Sequence, residues 1–515
     1  MIEETTPHRI DGANMANQRD ALLTWERQLS SVYRINPFSD HTYNRLRRKA
    51  ERELRALQPE QQHTTLEDRL QLAQLWLHRY ASAGEEYPAL WQSAYLCLAR
   101  FVVDSSFEAP KETGDALQQT WFQLDQLGQQ YKVPDNRELL GIAARARRAN
   151  ISLSRIRGHS RRLHDLKREI WSACFGADLL RLLLYGRIFQ ELNVLIIGPT
   201  GSGKELAAQV LLSAVEGEWK QEKNKKTLTW QPHRTEAINL AEFPRPLMAA
   251  QITGYKKGAF TGAASDFQGV LSRCDEGAVL LDEIGELPEE GQVVLLRALE
   301  TKRVRPLGAE SIESANCRVI AATHKQLNTQ DAGLFRRDLF YRLAGAVIEV
   351  PSLAERPEDL LPIALGFLQE WGIRKSALRQ LEDPRHHITE WLKKPEIQSY
   401  AWPGNARELK RAVSRILVGY QQQEFTQRLP SLFPQEDATV TNTPPRVPIE
   451  LVEGTWSLEE AKQWYIQYVL ELQQGNQKLA ASQLGIHRTT IYNLNKRKKQ
   501  NEAKDTQPNA KETDA

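Results

Sequence analysis

The sequence has little of what would place the chain in an oxidising compartment or a membrane. Its four cysteines, Cys97, Cys174, Cys274 and Cys317, stand tens of residues apart, with no CxxC pair and no Cys/His cluster of zinc-ligand spacing. A disulfide scaffold and a structural zinc module are therefore excluded, and the thiols read as reduced and structural. The longest apolar patches, at 179–184 and 195–197, fall far short of the ~20 residues that span a bilayer. The opening segment MIEETTPHRIDGANMANQRD has neither the basic region nor the apolar region of a secretory signal. The expected location is cytoplasmic, with no membrane partner. Charge of one sign is also missing, because 68 Lys+Arg against 65 Asp+Glu leave a net charge of +3 that names no partner.

What is present is length and an uneven distribution. A chain of 515 residues is too long for one hydrophobic core and should divide into several units. In residues 1–150 the 19 basic and 20 acidic residues nearly cancel, and segments 66–80 and 87–103 place apolar residues three and four apart. This part reads as a helical bundle with Trp25, Trp76, Trp91 and Trp121 as core anchors. Residues 154–350 alternate short aliphatic runs (194–197, 278–281, 318–321, 346–350) with helical stretches, which implies a parallel sheet covered by helices. A proline-rich linker is expected at 424–450, a small helical domain at 451–500 and a polar tail at 501–515. The expected fold class is multidomain: an α-helical N-terminal domain, an α/β P-loop domain with a helical lid, and a C-terminal all-α helix-turn-helix.

The run VLII at 194–197 leads into Gly198, Pro199, Thr200, Gly201, Ser202, Gly203 and Lys204, and then into a helical segment. Strand, glycine-rich loop and helix N-terminus in that order let backbone N–H groups hold phosphates while the lysine reaches the β/γ oxygens. The bare pattern is common by chance, and its context makes it specific. Glu205 stands where a Ser/Thr hydroxyl usually meets Mg2+. The run GAVLLDE at 277–283 then ends in adjacent carboxylates. Asp282 is placed to hold Mg2+ and Glu283 to polarise the attacking water, as phosphoanhydride hydrolysis requires. The expected cofactors are ATP and Mg2+.

Between these motifs lie Gly258, Ala259, Phe260, Thr261, Gly262 and Ala263. Glycines near both ends let such a loop hinge, and an aromatic beside a hydroxyl suits a small, transient contact. GAFTGA resembles the signature loop of the sigma-54-dependent transcriptional activators, the bacterial enhancer-binding AAA+ ATPases. The resemblance extends over residues 155–420 and the C-terminal domain, motif after motif in order, although QITG at 251–254 replaces the family's usual ELFG. It implies that this loop, with Phe260 and Thr261 at its tip, touches sigma-54 and transmits the nucleotide state to the closed promoter complex.

The resemblance further implies that Asn239 holds Glu283 away from water until a switch is released, and that Glu205 is a family trait. By the same likeness Thr323 and His324, in RVIAATH, read the γ-phosphate. Arg336 and Arg342, in LFRRDLFYRL, are supplied in trans to a neighbour's nucleotide, and Arg407, in WPGNAREL, contacts the nucleotide from the lid of the same subunit. The likeness also implies a helical lid at 351–423, a regulatory or sensor domain of unknown type at 1–150, and a homo-oligomer, a hexamer as in the family, with dimeric DNA-binding domains.

At the C-terminal end Ser457 and Glu460 form a capping box ahead of a helical run that Gly475 ends. Two short helical segments follow around Gly485 and Ile486 at helix-turn-helix spacing. No acidic residue occurs from 473 to 501, where Lys478, Arg488, Lys496 and Arg497 supply positive charge for DNA phosphates. The segment resembles the Fis-type domain of the same activators, with Arg488, Thr489, Thr490, Tyr492 and Asn493 in the DNA-binding set. The sequence thus points to an activator that binds upstream double-stranded DNA and uses ATP hydrolysis to remodel sigma-54 RNA polymerase. Two alternatives stay open: a repressor or scaffold whose nucleotide site controls assembly, and an AAA+ remodeller with another substrate.

Overall fold

The computed structural model describes residues 66–103, 114–221, 225–325, 327, 335–373 and 383–418, with isolated positions 23–24, 33–34, 462, 464–466, 469, 481, 484 and 486. The N-terminal periodicity becomes four helices: α1 (Leu66–Glu86), α2 (Pro88–Val103), α3 (Gly114–Gln130) and α4 (Asn136–Leu153). Pro88 opens α2, where a missing N–H costs nothing. The inward stripe of α1 holds Leu72, Ala73, Trp76, Leu77 and Tyr80, and Trp76 stacks on Trp91 at 5.8 Å. Trp121 is buried as well, while Trp25 lies outside the described residues.

Helices α5 (Arg161–Phe175) and α6 (Arg181–Glu191) lead to β1 (Val194–Ile197) and α7 (Lys204–Ser213). A hairpin of β2 (Gly217–Gln221) and β3 (Leu228–Pro232) precedes β4 (Thr235–Asn239) and α8 (Arg245–Thr253). Then come β5 (Gly254–Tyr255), β6 (Phe267–Gln268), α9 (Val270–Arg273), β7 (Ala278–Asp282) and α10 (Glu289–Thr301). A second hairpin, β8 (Arg303–Val304) and β9 (Glu313–Ser314), is followed by β10 (Arg318–Thr323), α11 (Arg337–Leu343) and β11 (Ala346–Glu349). The lid comprises α12 (Leu360–Glu370), α13 (Pro384–Leu392), α14 (Pro395–Gln398) and α15 (Asn405–Leu417).

Five strands pair in the order β11-β1-β10-β7-β4, all parallel. β10 is buried at all six positions and β7 at all but Asp282, the unbroken apolar run of strands covered on both faces. The C-terminal ends of β1, β4, β7 and β10 open on one crevice, where ligands of such sheets bind.

One face of this sheet packs on α8, α10 and α11 through a core that includes Leu195, Val279, Leu281 and Leu339. The other face shares a single apolar cluster with the N-terminal bundle, running from Trp76 and Trp91 through Leu139 and Ala146 to Val194, Ile196, Val210 and Ile348. The boundary expected at residue 150 falls inside α4, and residues 1–420 form one compact unit. Arg318 crosses this region with its guanidinium buried, donating to the Ala173 and Leu192 carbonyls, and burial pulls its pKa down to about 10. All four cysteines are buried, and desolvation pushes the Cys174 and Cys317 thiols up to about 12.

Residues 421–515 form a second unit. Its described positions place Ile466, Val469 and Ala481 in a small core with Leu484 and Ile486 packed against it. Among the described residues no helix is long and apolar enough to cross a membrane.

Candidate nucleotide site and sigma-54 loop

The crevice is a cleft of about 460 Å3. Thr200, Gly201, Gly203, Lys204 and Glu205 form one wall, Asn239, Asp282 and Glu283 the floor, and His324 and Arg407 the rim. Lys204 opens α7, and its ammonium folds back to donate to the carbonyls of Gly198 (2.9 Å) and Pro199 (3.2 Å). Burial lowers the Lys204 pKa, opposed by the nearby charges of Glu283 and Asp282. Asp282 ends β7 in register with Asn239 of β4. Its carboxyl pKa is raised, first by burial and then by the like charges of Glu283 and Glu205, against the Glu283 N–H that it accepts at 3.0 Å. Four carboxylates of the cleft, Glu205, Asp282, Glu283 and Glu286, outnumber Lys204 and Arg407. A polyphosphate would therefore enter such a cleft with a divalent cation, for which Asp282 offers a hard oxygen ligand.

Glu283 holds a left-handed backbone (φ 55°), uncommon for a residue with a side chain and typical of functional sites. That conformation turns its carboxylate to His324, whose Nδ1 lies 2.7 Å from Oε2. No hydrogen bond joins Asn239 to Glu283, although the expected holding role would require one. Asn239 Oδ1 instead accepts the N–H of Ala241 at 3.0 Å and caps the turn that follows β4, the local backbone bond short amide side chains favour. Thr323 is wholly buried and its hydroxyl accepts the Lys325 N–H, so it lies behind the cleft wall. The Ser202 hydroxyl is buried without a hydrogen-bond partner.

The lid seats directly on the phosphate loop. Asn405 donates to Thr200 O at 3.0 Å, Ala406 N–H donates to Gly201 O at 3.1 Å, and buried Arg356 donates to Ser202 O at 2.7 Å. A Cβ at Gly201 would stand 2.5 Å from Gly404 O, so this approach requires glycine. Asp359, fully buried at the start of α12, accepts the N–H groups of His159 and Ser160 and the Ser160 hydroxyl. Sequence reasoning nominated Arg407 and missed Asn405, Arg356 and Asp359. Asn405 had a signal, since a Pro-Gly-Asn run invites the left-handed conformation it adopts (φ 53°). Arg356 and Asp359 had none.

Arg336 and Arg342 do not line this cleft. Arg336 precedes α11 with its exposed guanidinium paired to Asp338 at 2.7 Å, and exposed Arg342 donates to Leu299 O at 3.2 Å. Both stand on the surface, outside the cleft.

Residues 258–263 close a small turn between β5 and β6. Gly258 N–H donates to Ala263 O and Ala263 N–H to Phe260 O, with φ of 82° at Gly258 and 103° at Gly262. Thr261 and Gly262 are exposed, Ala263 is buried and Ala259 lies against Gly308. Phe260 is half buried and meets Tyr255 edge to face at 4.9 Å, and Tyr255 stacks on Phe267 at 5.2 Å. The β8–β9 hairpin braces the turn through bonds from Lys256 N–H to Leu307 O and from Leu307 N–H to Gly254 O. The DNA-contact set Lys478, Arg488, Thr489, Thr490, Tyr492, Asn493, Lys496 and Arg497 lies outside the described residues.

Residues 184–349 match the Sigma-54 interaction domain family, and residues 457–498 match the family described as Bacterial regulatory protein, Fis family. Among curated proteins, the hydrogenase transcriptional regulatory protein HoxA of Bradyrhizobium diazoefficiens is 32% identical over 376 residues, covering 71% of this chain and 72% of that protein. The transcriptional regulatory protein ZraR of Escherichia coli (strain K12) is 35% identical over 303 residues, covering 58% of this chain and 62% of that protein. Among solved structures, NtrX from Brucella abortus in complex with ATP aligns at 21% identity and a TM-score of 0.40, over 72% of this chain and 74% of that one. The chain belongs to the sigma-54-dependent transcriptional activators, with an AAA+ nucleotide-binding domain and a Fis-type helix-turn-helix.

Proposed function

We propose that this activator hydrolyses ATP in a ring of identical subunits, binds upstream double-stranded DNA through its C-terminal domains, and uses the cycle to remodel the closed complex of sigma-54 RNA polymerase. The observation that carries the reading is the convergence of Lys204, just after β1, with Asp282 and Glu283, at and just after the end of β7, on one edge of the parallel sheet, while Arg336 and Arg342 lie on the outside of the same subunit. Lys204 exchanges its loop carbonyls for phosphate oxygens, and the N–H groups at the start of α7 hold the remaining charge. Asp282 holds Mg2+, which supplies charge neutralisation when bound. Glu283 orients and deprotonates water once it leaves His324. Arg336 and Arg342 of one subunit reach the γ-phosphate of the next, so a monomer is inactive. Arg407 reads the nucleotide from the lid.

The turn at 258–263 is the contact with sigma-54, through exposed Thr261 and the Phe260 ring once it lifts from Tyr255. The N-terminal bundle regulates the ATPase. The test is phosphate release from wild type and Glu283→Ala at matched ATP binding. Near-complete loss in the variant is expected, and equal rates would refute hydrolysis by this cleft.

A further inference from the structure

Between α7, which begins at Lys204, and β4, which ends at Asn239, the chain leaves the main sheet for the β2–β3 hairpin. Both flanks of this excursion therefore carry cleft residues. On the hairpin Trp219 and Trp230 are cross-strand partners with rings edge to face at 5.0 Å. Trp219 meets Trp121 of α3 at 5.3 Å and donates its indole N–H to the Arg137 carbonyl of α4 at 2.9 Å. Trp230 lies over Gly141 of α4, so closely that a Cβ there would come within 3.0 Å of its ring.

The same helix holds the far end of α7. Arg145 and Arg148 donate through Nε to the carbonyls of Ala214 (2.9 Å) and Ser213 (3.0 Å), groups that a helix C-terminus otherwise leaves unpaired. Their charge also suits the negative end of the helix dipole. Arg145 continues to Glu216 at the foot of the hairpin, 3.2 Å away. One rigid helix of the bundle thus grips both the phosphate-loop helix and the hairpin leading to Asn239.

We propose that α4 and the Trp219–Trp230 hairpin are the relay by which the N-terminal bundle and the nucleotide cleft sense each other's state. The proposal rests on the reading of the cleft as an ATPase site that the bundle regulates. A helix of ten residues is about 15 Å long, so a tilt of roughly 4° about its anchored end moves Lys204 by about 1 Å. Displacement of that size at a reacting centre costs on the order of 100-fold in rate. A ligand or partner that shifts α4 moves this lever, and by linkage nucleotide binding shifts α4 in return.

Amide hydrogen exchange on the full chain, with and without Mg2+ and ATPγS, tests the relay. ATPγS is expected to change protection in α4 as well as at residues 198–204. Trp219→Ala is expected to cut the α4 response about fivefold or more, the size of ordinary coupling between sites, while saturating ATPγS still protects the loop. Trp219→Phe keeps a ring but loses the bond to Arg137 O, should give an intermediate response, and carries the test if the alanine variant does not fold. An α4 response absent from wild type, or undiminished in whichever variants fold, overturns the proposal. The hydrolysis reading fails separately, if ATPγS protects the loop but no phosphate is released from ATP; the exchange test then still stands.

Discussion

Arg145→Ala removes a guanidinium that joins α4, the end of α7 and the hairpin. The side chain is 8% exposed, and burial lowers its pKa more than Glu216 raises it. Losing a charged hydrogen bond that leaves the buried Ala214 carbonyl unpaired costs about 2 kcal/mol. The pair with Glu216, which keeps Gln190 as a donor, adds about 0.5–1 kcal/mol. Truncating the packed stem costs about 1–2 kcal/mol, and relief of guanidinium desolvation returns about 1 kcal/mol. The net is a loss of about 3 kcal/mol, a large share of the ~5–15 kcal/mol of a typical domain. Urea unfolding followed by far-UV circular dichroism measures it as a lower midpoint at unchanged slope. Arg145→Met keeps the stem and should recover about 1 kcal/mol. A change below about 0.5 kcal/mol, the size of an ordinary surface substitution, would refute the claim that α4 completes the P-loop helix.

Because the folded-state pKa of Asp282 is raised, its contribution to stability is complete below about pH 4 and is lost as pH rises through that raised value. Asp282→Asn should therefore raise the thermal midpoint of the nucleotide-free protein at pH 7 while weakening Mg2+-dependent ATP binding; an unchanged or lower midpoint counts against the desolvation account. Asn405→Ala loses its bond to Thr200 O and strains a left-handed position, so the KM for ATP should rise about tenfold, read from steady-state phosphate release. Doping Arg342→Ala subunits into wild type should depress turnover more than in proportion to their fraction, whereas a strictly linear decline would mean that no arginine acts in trans. Thr261→Ala should leave ATP turnover unchanged and abolish capture of sigma-54 in a trapped nucleotide state, and undiminished capture would remove the loop from the contact.

Much of the central domain was legible because its signals are local. Four of the five strands of the sheet follow from short, mainly aliphatic runs, and Lys204, Asp282 and Glu283 converge because parallel strands deliver their C-terminal ends to one edge. The fifth strand, β4, reads as TEAIN and carries no such run. The partner of Glu283 was not legible either. Whether Asn239 or His324 holds it depends on how the amide and the ring are turned in space, which motif order does not encode. The lid contacts of Arg356 and Asp359 reach 154 and up to 200 residues along the chain, beyond any periodicity. The shared core escaped for the same reason: the apolar faces of α4 and α7 look alike whether each packs within its own domain or against the other. Cutting at residue 150 would divide α4 and remove Arg145 and Arg148, so lost activity on truncation reports lost packing as readily as lost regulation.

The common apolar cluster also sets an order of events during synthesis. The bundle emerges first, with the face of α4 that packs on α7 still uncovered, and the sheet beneath α7 is complete only when β11 arrives at residues 346–349. At the usual pace of about 5–20 residues per second, the interval from 153 to 349 lasts about 10–40 s. Throughout it the apolar cluster that joins the bundle to α7 and the sheet, Ala146, Val210 and Ile348 among its members, is incomplete. Chaperone demand in this protein should therefore peak in mid-translation, and a slow codon stretch placed before residue 349 should lower soluble yield more than one placed after it.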